Sequence, residues 1–241
     1  MRFLAQSAAV APITFAHRGA RIEERENTIP AFVYALGRGA RGLESDAWLS
    51  SDGEVVLVHD AVTRRGLKRV RVEQSTAADL ARFEIPRLAD LYEVCGTDFE
   101  LSVDAKGRDV ARPLIEVARR AGAADRLWVC SPSVGLLRTL REEGTPSRLV
   151  HSRRRQAISV PLERHAADLA AIGIDAMNMH HTDWSRGLVS LFHRFDVRAF
   201  AWDVQEVRYL RAALTMEVDA VYSDHVDRMV ATVGEWSPEL G

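Results

Sequence analysis

Apolar positions along the chain fall into two alternating patterns. Short runs rich in β-branched and aromatic residues are followed by longer stretches where apolar residues return every three or four positions. The first pattern predicts strands over 13–17, 42–48, 99–106, 127–131, 148–151, 175–180, 197–202 and 220–224. The second predicts helices over 29–38, 110–121, 134–143, 162–172, 185–194 and 206–213, and a last one from Val226 onward. Helix-start residues stand where they should: Asn27 and Thr28 precede Pro30, and Ser133 precedes Val134. Eight strands, each followed by a crossover, in 241 residues make an α/β chain with the count of a (β/α)8 TIM-type barrel. A doubly wound sheet needs fewer strands and usually a glycine-rich phosphate loop, and no such loop is visible.

One region breaks the alternation. Ser51-Asp52-Gly53 reads as a tight turn into another apolar run over 54–59, then a polar, arginine-rich loop over 63–74. Two short helices are expected over 76–83 and 87–94. The whole chain, 1–241, therefore reads as one barrel domain with a small insertion after the second strand, at about 51–95. That insertion falls on the rim where barrel active sites form.

Composition narrows the partners. With 32 Lys+Arg against 34 Asp+Glu the net charge is −2, so no general field attracts nucleic acid or an acidic membrane. An anionic substrate must be held locally. Cys95 and Cys130 are the two cysteines, and both read as buried free thiols. The start, Met1 to Ala11, is apolar only briefly, interrupted by Gln6 and Ser7, and reads as neither a signal peptide nor a membrane anchor. A cytoplasmic protein with no stable membrane anchor is the expectation.

Ionisable residues gather at the strand ends. Glu44 and Asp46, two apart on one strand, point to the same face; Ser102, Asp104 and Lys106 do likewise on the next. His17 and Arg18 end the first strand, and His59-Asp60 ends the run in the insertion. His151, His180, His181, Trp202 and Asp224 stand at further strand ends. Three converging carboxylates raise one another's pKa unless a cation sits among them, and oxygen donors suit Mg²⁺ or Ca²⁺. Phosphodiester hydrolysis needs charge neutralisation, a base for the nucleophile and an acid for the leaving alcohol. Arg18, Lys106 and a metal supply the first; His17 and His59 supply the other two.

At this point the chain resembles the glycerophosphodiester phosphodiesterase family. The resemblance rests on His17-Arg18-Gly19, Glu26-Asn27-Thr28, Glu44-Ser45-Asp46, Asp52-Gly53 leading to His59-Asp60, Ile85-Pro86-Arg87-Leu88, Asp104-Ala105-Lys106, Trp202 and Tyr222-Ser223-Asp224. It implies a (β/α)8 barrel and one divalent cation, Mg²⁺ or Ca²⁺, held by Glu44, Asp46 and Asp104. His17 and His59 would be the acid–base pair, Arg18 and Lys106 the phosphate contacts, and Trp202 a substrate wall. Glu26 and Asn27 would support the first loop. The implied reaction turns a small glycerophosphodiester into glycerol 3-phosphate and an alcohol. Two features depart from the family pattern: Asp104 stands where Glu is usual, and Trp202-Asp203-Val204-Gln205 replaces a Trp-Thr-x-Asn run. Two alternatives remain: a lysophospholipase D using apolar residues of the insertion (Leu67, Val70, Val72, Leu80, Phe83), and a barrel that binds without catalysis.

Overall fold

A computed structural model describes residues 11–65, 68–107 and 109–236. The reading of Met1 to Ala11 falls almost wholly outside this range, and so does Leu67. The strands, in chain order, are β1 (Ile13–Ala16), β2 (Gly42–Leu49), β3 (Val55–Leu57), β4 (Val62–Arg65), β5 (Lys68–Arg71), β6 (Glu100–Ala105), β7 (Leu127–Ser131), β8 (Arg148–Ser152), β9 (Ala176–His180), β10 (Arg198–Trp202) and β11 (Ala220–Ser223). The helices are α1 (Ile29–Gly37), α2 (Ala77–Ala81), α3 (Leu88–Cys95), α4 (Ala111–Arg120), α5 (Val134–Glu142), α6 (Leu162–Ala171), α7 (Arg186–His193), α8 (Val207–Thr215) and α9 (Val226–Gly234). Among the described residues no helix is long and apolar enough to cross a membrane.

Eight of the strands run parallel in the ring β1-β2-β6-β7-β8-β9-β10-β11, which closes through β11 and β1. This is the (β/α)8 barrel that the alternation predicts. Side chains alternate across each strand, so every strand feeds two cores. Phe15, Trp128, Cys130, Val150, Ala176, Phe200, Ala220 and Tyr222 fill the barrel interior. Their neighbours Ala16, Leu43, Leu101, Val129, Leu149, Met177, Ala199 and Val221 pack outward, against Phe32, Leu114, Leu137, Leu169, Phe192 and Leu210 of the helices. Gly42 stands at an inward position because a Cβ there would lie 2.6 Å from Cδ1 of Phe15, whose ring occupies that space.

The helix starts are capped as the sequence suggests. Thr28 Oγ1 accepts from the Ala31 amide, and Ser133 Oγ from the Leu136 amide.

The insertion differs from expectation in two respects. The stretch 63–74, read as a loop, contains the antiparallel pair β4–β5, with Thr63 opposite Val70. Its arginines mask an alternating pattern whose apolar members include Val72, buried with Val56, Ala77, Leu80 and Ile85 in a small core of their own. Secondly, α3 packs between α1 and α4 and so takes the place of the second barrel helix, rather than belonging to the insertion. β3 pairs antiparallel with the end of β2, on the edge that β1 has left by that point, and delivers His59 to the mouth.

Candidate active site

Inward positions at the strand ends lie beyond the packed interior of the barrel. There they line a cavity of about 540 Å³. His17, Arg18, Glu44, His59, Asp104, Lys106 and Trp202 all reach it, joined by Arg21, Ser102, Ser152, Arg153, Asn178, Asp203, Gln205, Tyr222 and Asp224. Hollows of about 700 and 720 Å³ lie at the opposite mouth, among strand starts where barrel catalytic groups do not stand.

The first loop is shaped by left-handed backbone at Arg18 (φ 53°), Gly19 (φ 78°) and Asn27 (φ 56°). At Gly19 a side chain is excluded twice, since a Cβ would also meet Cβ of Ala31 at 2.8 Å. The turn aims the Arg18 amide at Glu44 Oε2, 2.9 Å away. The Arg18 guanidinium reaches Glu26 at 3.1 Å, and its Nε lies 3.5 Å from Asp46. Asn27 bridges β2, accepting from Ser45 Oγ at 2.7 Å and donating to Asp46 at 3.4 Å. Glu26 and Asn27 therefore stand behind the cavity and hold its wall.

β2 and β6 bring the carboxylates together. Asp46 lies opposite Asp104 across the two strands, and Glu44 opposite Ser102. Lys106 Nζ stands between the two aspartates, 3.1 Å from Asp46 and 3.0 Å from Asp104. Burial, with Asp46 and Asp104 as like charges, pushes the Glu44 carboxyl up to about 8 against the pull of His17. Burial also raises Asp104, although Lys106 opposes the shift. Three carboxylates thus share the site with the ammonium of Lys106 and the guanidinium of Arg18. Their oxygen-only donors fit a hard divalent cation.

His17 is held from one side. Its Nδ1 meets Asp224 Oδ1 at 2.5 Å, while Nε2 faces the cavity, 3.8 Å from Glu44. Burial disfavours its charged form, but Glu44 and Asp224 more than compensate and raise its pKa. Asp224 is fixed in turn: its amide donates to Gln205 Oε1 at 2.9 Å, and Arg21 stands 3.9 Å from its carboxylate. Gln205 thus has a structural duty at the mouth that its departure from the family run left open. His59 repeats the arrangement more openly, with Nδ1 2.8 Å from Asp60 and its carbonyl accepting from Trp48 Nε1 at 3.3 Å.

The placement of one strand-end histidine is corrected. His151 belongs to the outward face of β8 and pairs with His165 of α6 at 3.1 Å, away from the mouth; its neighbour Ser152 points in instead. His180, His181 and Asp203 form the one group of metal-type side chains among the described residues with ligand atoms all within 4.8 Å of one another. Yet His180 Nδ1 accepts from the Thr182 amide at 3.2 Å, which places the proton on Nε2, against Asp203 at 3.0 Å. A cation there would displace that proton and cost the amide its acceptor, so the trio reads as a hydrogen-bonded wall. Asn178, on the inward parity of β9 between Ala176 and His180, was not singled out, and only strand parity pointed to it.

A parallel barrel whose mouth joins carboxylates, two carboxylate-held imidazoles and the cations of Arg18 and Lys106 carries the groups that a phosphodiester-cleaving hydrolase needs. The model of the glycerophosphoryl diester phosphodiesterase family matches residues 17–228, and the chain belongs to that family. A glycerophosphodiester phosphodiesterase of Bacillus altitudinis is 24% identical, over 90% of this chain and 96% of that one. The glycerophosphodiester phosphodiesterase of Thermotoga maritima superposes with a TM-score of 0.80 at 23% identity, covering 91% of this chain and 97% of the other. A phosphodiesterase of Oleispira antarctica, solved with its product sn-glycerol-3-phosphate, gives a TM-score of 0.74 at 19% identity, covering 93% and 98%. These structural likenesses are likenesses of fold.

Proposed function

We propose that this hydrolase converts glycerophosphodiesters to glycerol 3-phosphate and an alcohol, in a reaction that depends on a divalent cation, with His17 and His59 as the acid–base pair. The observation that carries the reading is His17, clamped through Nδ1 by Asp224, with Nε2 turned to the Glu44 side of the cavity. Both histidines spend Nδ1 on a carboxylate and keep Nε2 to exchange protons. One imidazole takes the proton of the attacking oxygen as it bonds to phosphorus. The bond to the leaving oxygen breaks, and the other imidazole returns a proton to it. Attack by water gives glycerol 3-phosphate directly, whereas attack by the substrate's own glycerol hydroxyl gives a cyclic phosphate that a water molecule opens in a second such step. Arg18 and Lys106 contact the phosphate oxygens, and Trp202 walls the substrate. Glu44, Asp46 and Asp104 would hold Mg²⁺ or Ca²⁺, which when bound neutralises charge on the phosphate.

The lysophospholipid alternative has less support. Val72 and Leu80 are buried in the insertion's own core with Val70 and Phe83 packed against it, which leaves no apolar channel among these residues. Phosphorus NMR of glycerophosphocholine, glycerophosphoethanolamine and a lysophospholipid incubated with the protein and Mg²⁺ separates the readings. The glycerol 3-phosphate resonance should grow from the two soluble diesters. A lysophosphatidate resonance alone would transfer the function to lysophospholipids, and no change in any sample would leave a binding protein.

A further inference from the structure

The cavity wall facing the carboxylates is built by β8, β9 and β10, and apart from Trp202 no step above uses it. β2 and β9 stand four places apart in the eight-strand ring, so Asn178 looks across the mouth toward Glu44. Asn178 is only 5% exposed, and its amide is half satisfied. Nδ2 donates to Ser152 Oγ at 3.3 Å, while Oδ1 is buried with no hydrogen-bond partner. A buried amide oxygen without a partner is uncommon in a folded protein. This one belongs to a residue that lines a cavity, where a ligand can supply the missing donor.

The surroundings say which donor. Ser152 uses its oxygen to accept from Asn178 and keeps its own proton to give. A free acceptor and a free donor side by side match a hydroxyl group, which gives to one and takes from the other. They do not match a quaternary ammonium, which has no proton for Oδ1. The Trp202 ring on this wall is also engaged, because the Arg154 guanidinium sits 5.7 Å from its centroid. Arg153, on the same wall, adds a further positive charge.

We propose that Asn178, with Ser152, is a specificity-determining residue that reads a free hydroxyl on the carbon chain of the substrate. The proposal rests on the phosphodiesterase reading above. The hydroxyl belongs either to the glycerol half or to the departing alcohol. A site built to hydrogen-bond a hydroxyl discriminates strongly against a substrate that lacks it, because its polar groups are then left unpaired.

Three diesters, each assayed with Mg²⁺, separate these sources. Glycerophosphocholine carries free hydroxyls on its glycerol half only, glycerophosphoglycerol on both halves, and bis(4-nitrophenyl) phosphate on neither. Asn178→Leu keeps the same branched skeleton of four side-chain heavy atoms and removes both polar ones. Reading of the glycerol half predicts a loss in kcat/KM of about tenfold or more on the first two diesters. Reading of the departing alcohol predicts that loss on glycerophosphoglycerol alone. In either case hydrolysis of the nitrophenyl diester stays within about twofold of wild type. Should Asn178→Leu not fold, Ser152→Ala removes only the donor, and the same pattern is expected with a smaller loss. An equal loss on all three substrates, or no loss on any, overturns the proposal. Wild-type protein that cleaves none of the three fails at the earlier step, the phosphodiesterase reading itself.

Discussion

Asp224→Asn isolates the part of the site that the geometry makes most explicit. The carboxylate lies 2.5 Å from His17 Nδ1, fixes the ring orientation and keeps the proton on that nitrogen. Asparagine is the same size, keeps its amide bond to Gln205 and can still accept from the ring, so the fold should lose only about 1 kcal/mol. What disappears is a negative charge that stabilises the imidazolium and a guarantee of the correct tautomer. General acid–base catalysis contributes about 10²–10⁴-fold, so losing part of it should lower kcat/KM by about 10²-fold, or about 2.7 kcal/mol of barrier. The assay is the pH profile of glycerol 3-phosphate release, with thermal melting as a control on folding. Asp224 and Glu44 both raise the His17 pKa, so the limb of the profile that reports His17 should move to lower pH in the variant. Asp224→Glu should recover part of the rate. Activity within threefold of wild type, on an unshifted profile, would show that Asp224 merely caps the end of β11.

Other parts of the molecule make independent predictions. Phe200→Ala opens the barrel interior, where the ring is fully buried and meets Trp128 at 5.0 Å; it should cost about 3–5 kcal/mol and lower Tm by about 6–20 °C. A fall below about 3 °C would contradict that packing. Gly19→Ala meets both a positive φ and Ala31, and should lose about 2 kcal/mol of stability together with much of the activity; a neutral result by urea denaturation would mean that the loop is pliant. Burial, with His165 beside it, pushes His151 down to about 4, below the 6.5 of an exposed imidazole. Below pH 6.5 the unfolded chain gains a proton that the fold refuses, so stability falls as pH drops toward 4, by up to about 3 kcal/mol. His151→Leu should flatten that dependence in urea titrations from pH 7 to 4.5, and an unchanged slope would place the acid lability elsewhere.

Most of the barrel is legible in the sequence because its strands are buried on both faces and bounded by helices of a different period. Glu44 and Asp46 could be assigned to one face from their spacing alone. Contacts between residues distant in sequence could not. His17 and Asp224 are 207 positions apart, and only barrel closure through β1 and β11 brings them together. A one-residue difference in inward parity separates Ser152 at the mouth from His151 in the outer layer. The hairpin β4–β5 was hidden by arginines whose charge suggests a loop, while Val72 beside it enters a core of its own. Asn178 carries no motif, and its unpartnered oxygen becomes visible only in the folded chain.

The central claim is a cation-dependent hydrolysis run by His17 among the carboxylates of β2 and β6. Its most direct test measures glycerol 3-phosphate release from a panel of glycerophosphodiesters, using protein stripped with EDTA and then supplied with Mg²⁺, Ca²⁺ or Mn²⁺. The account predicts no release after stripping, recovery with at least one of these ions, and no recovery in His17→Ala. Release that survives EDTA, or a His17→Ala variant as active as wild type, would contradict it.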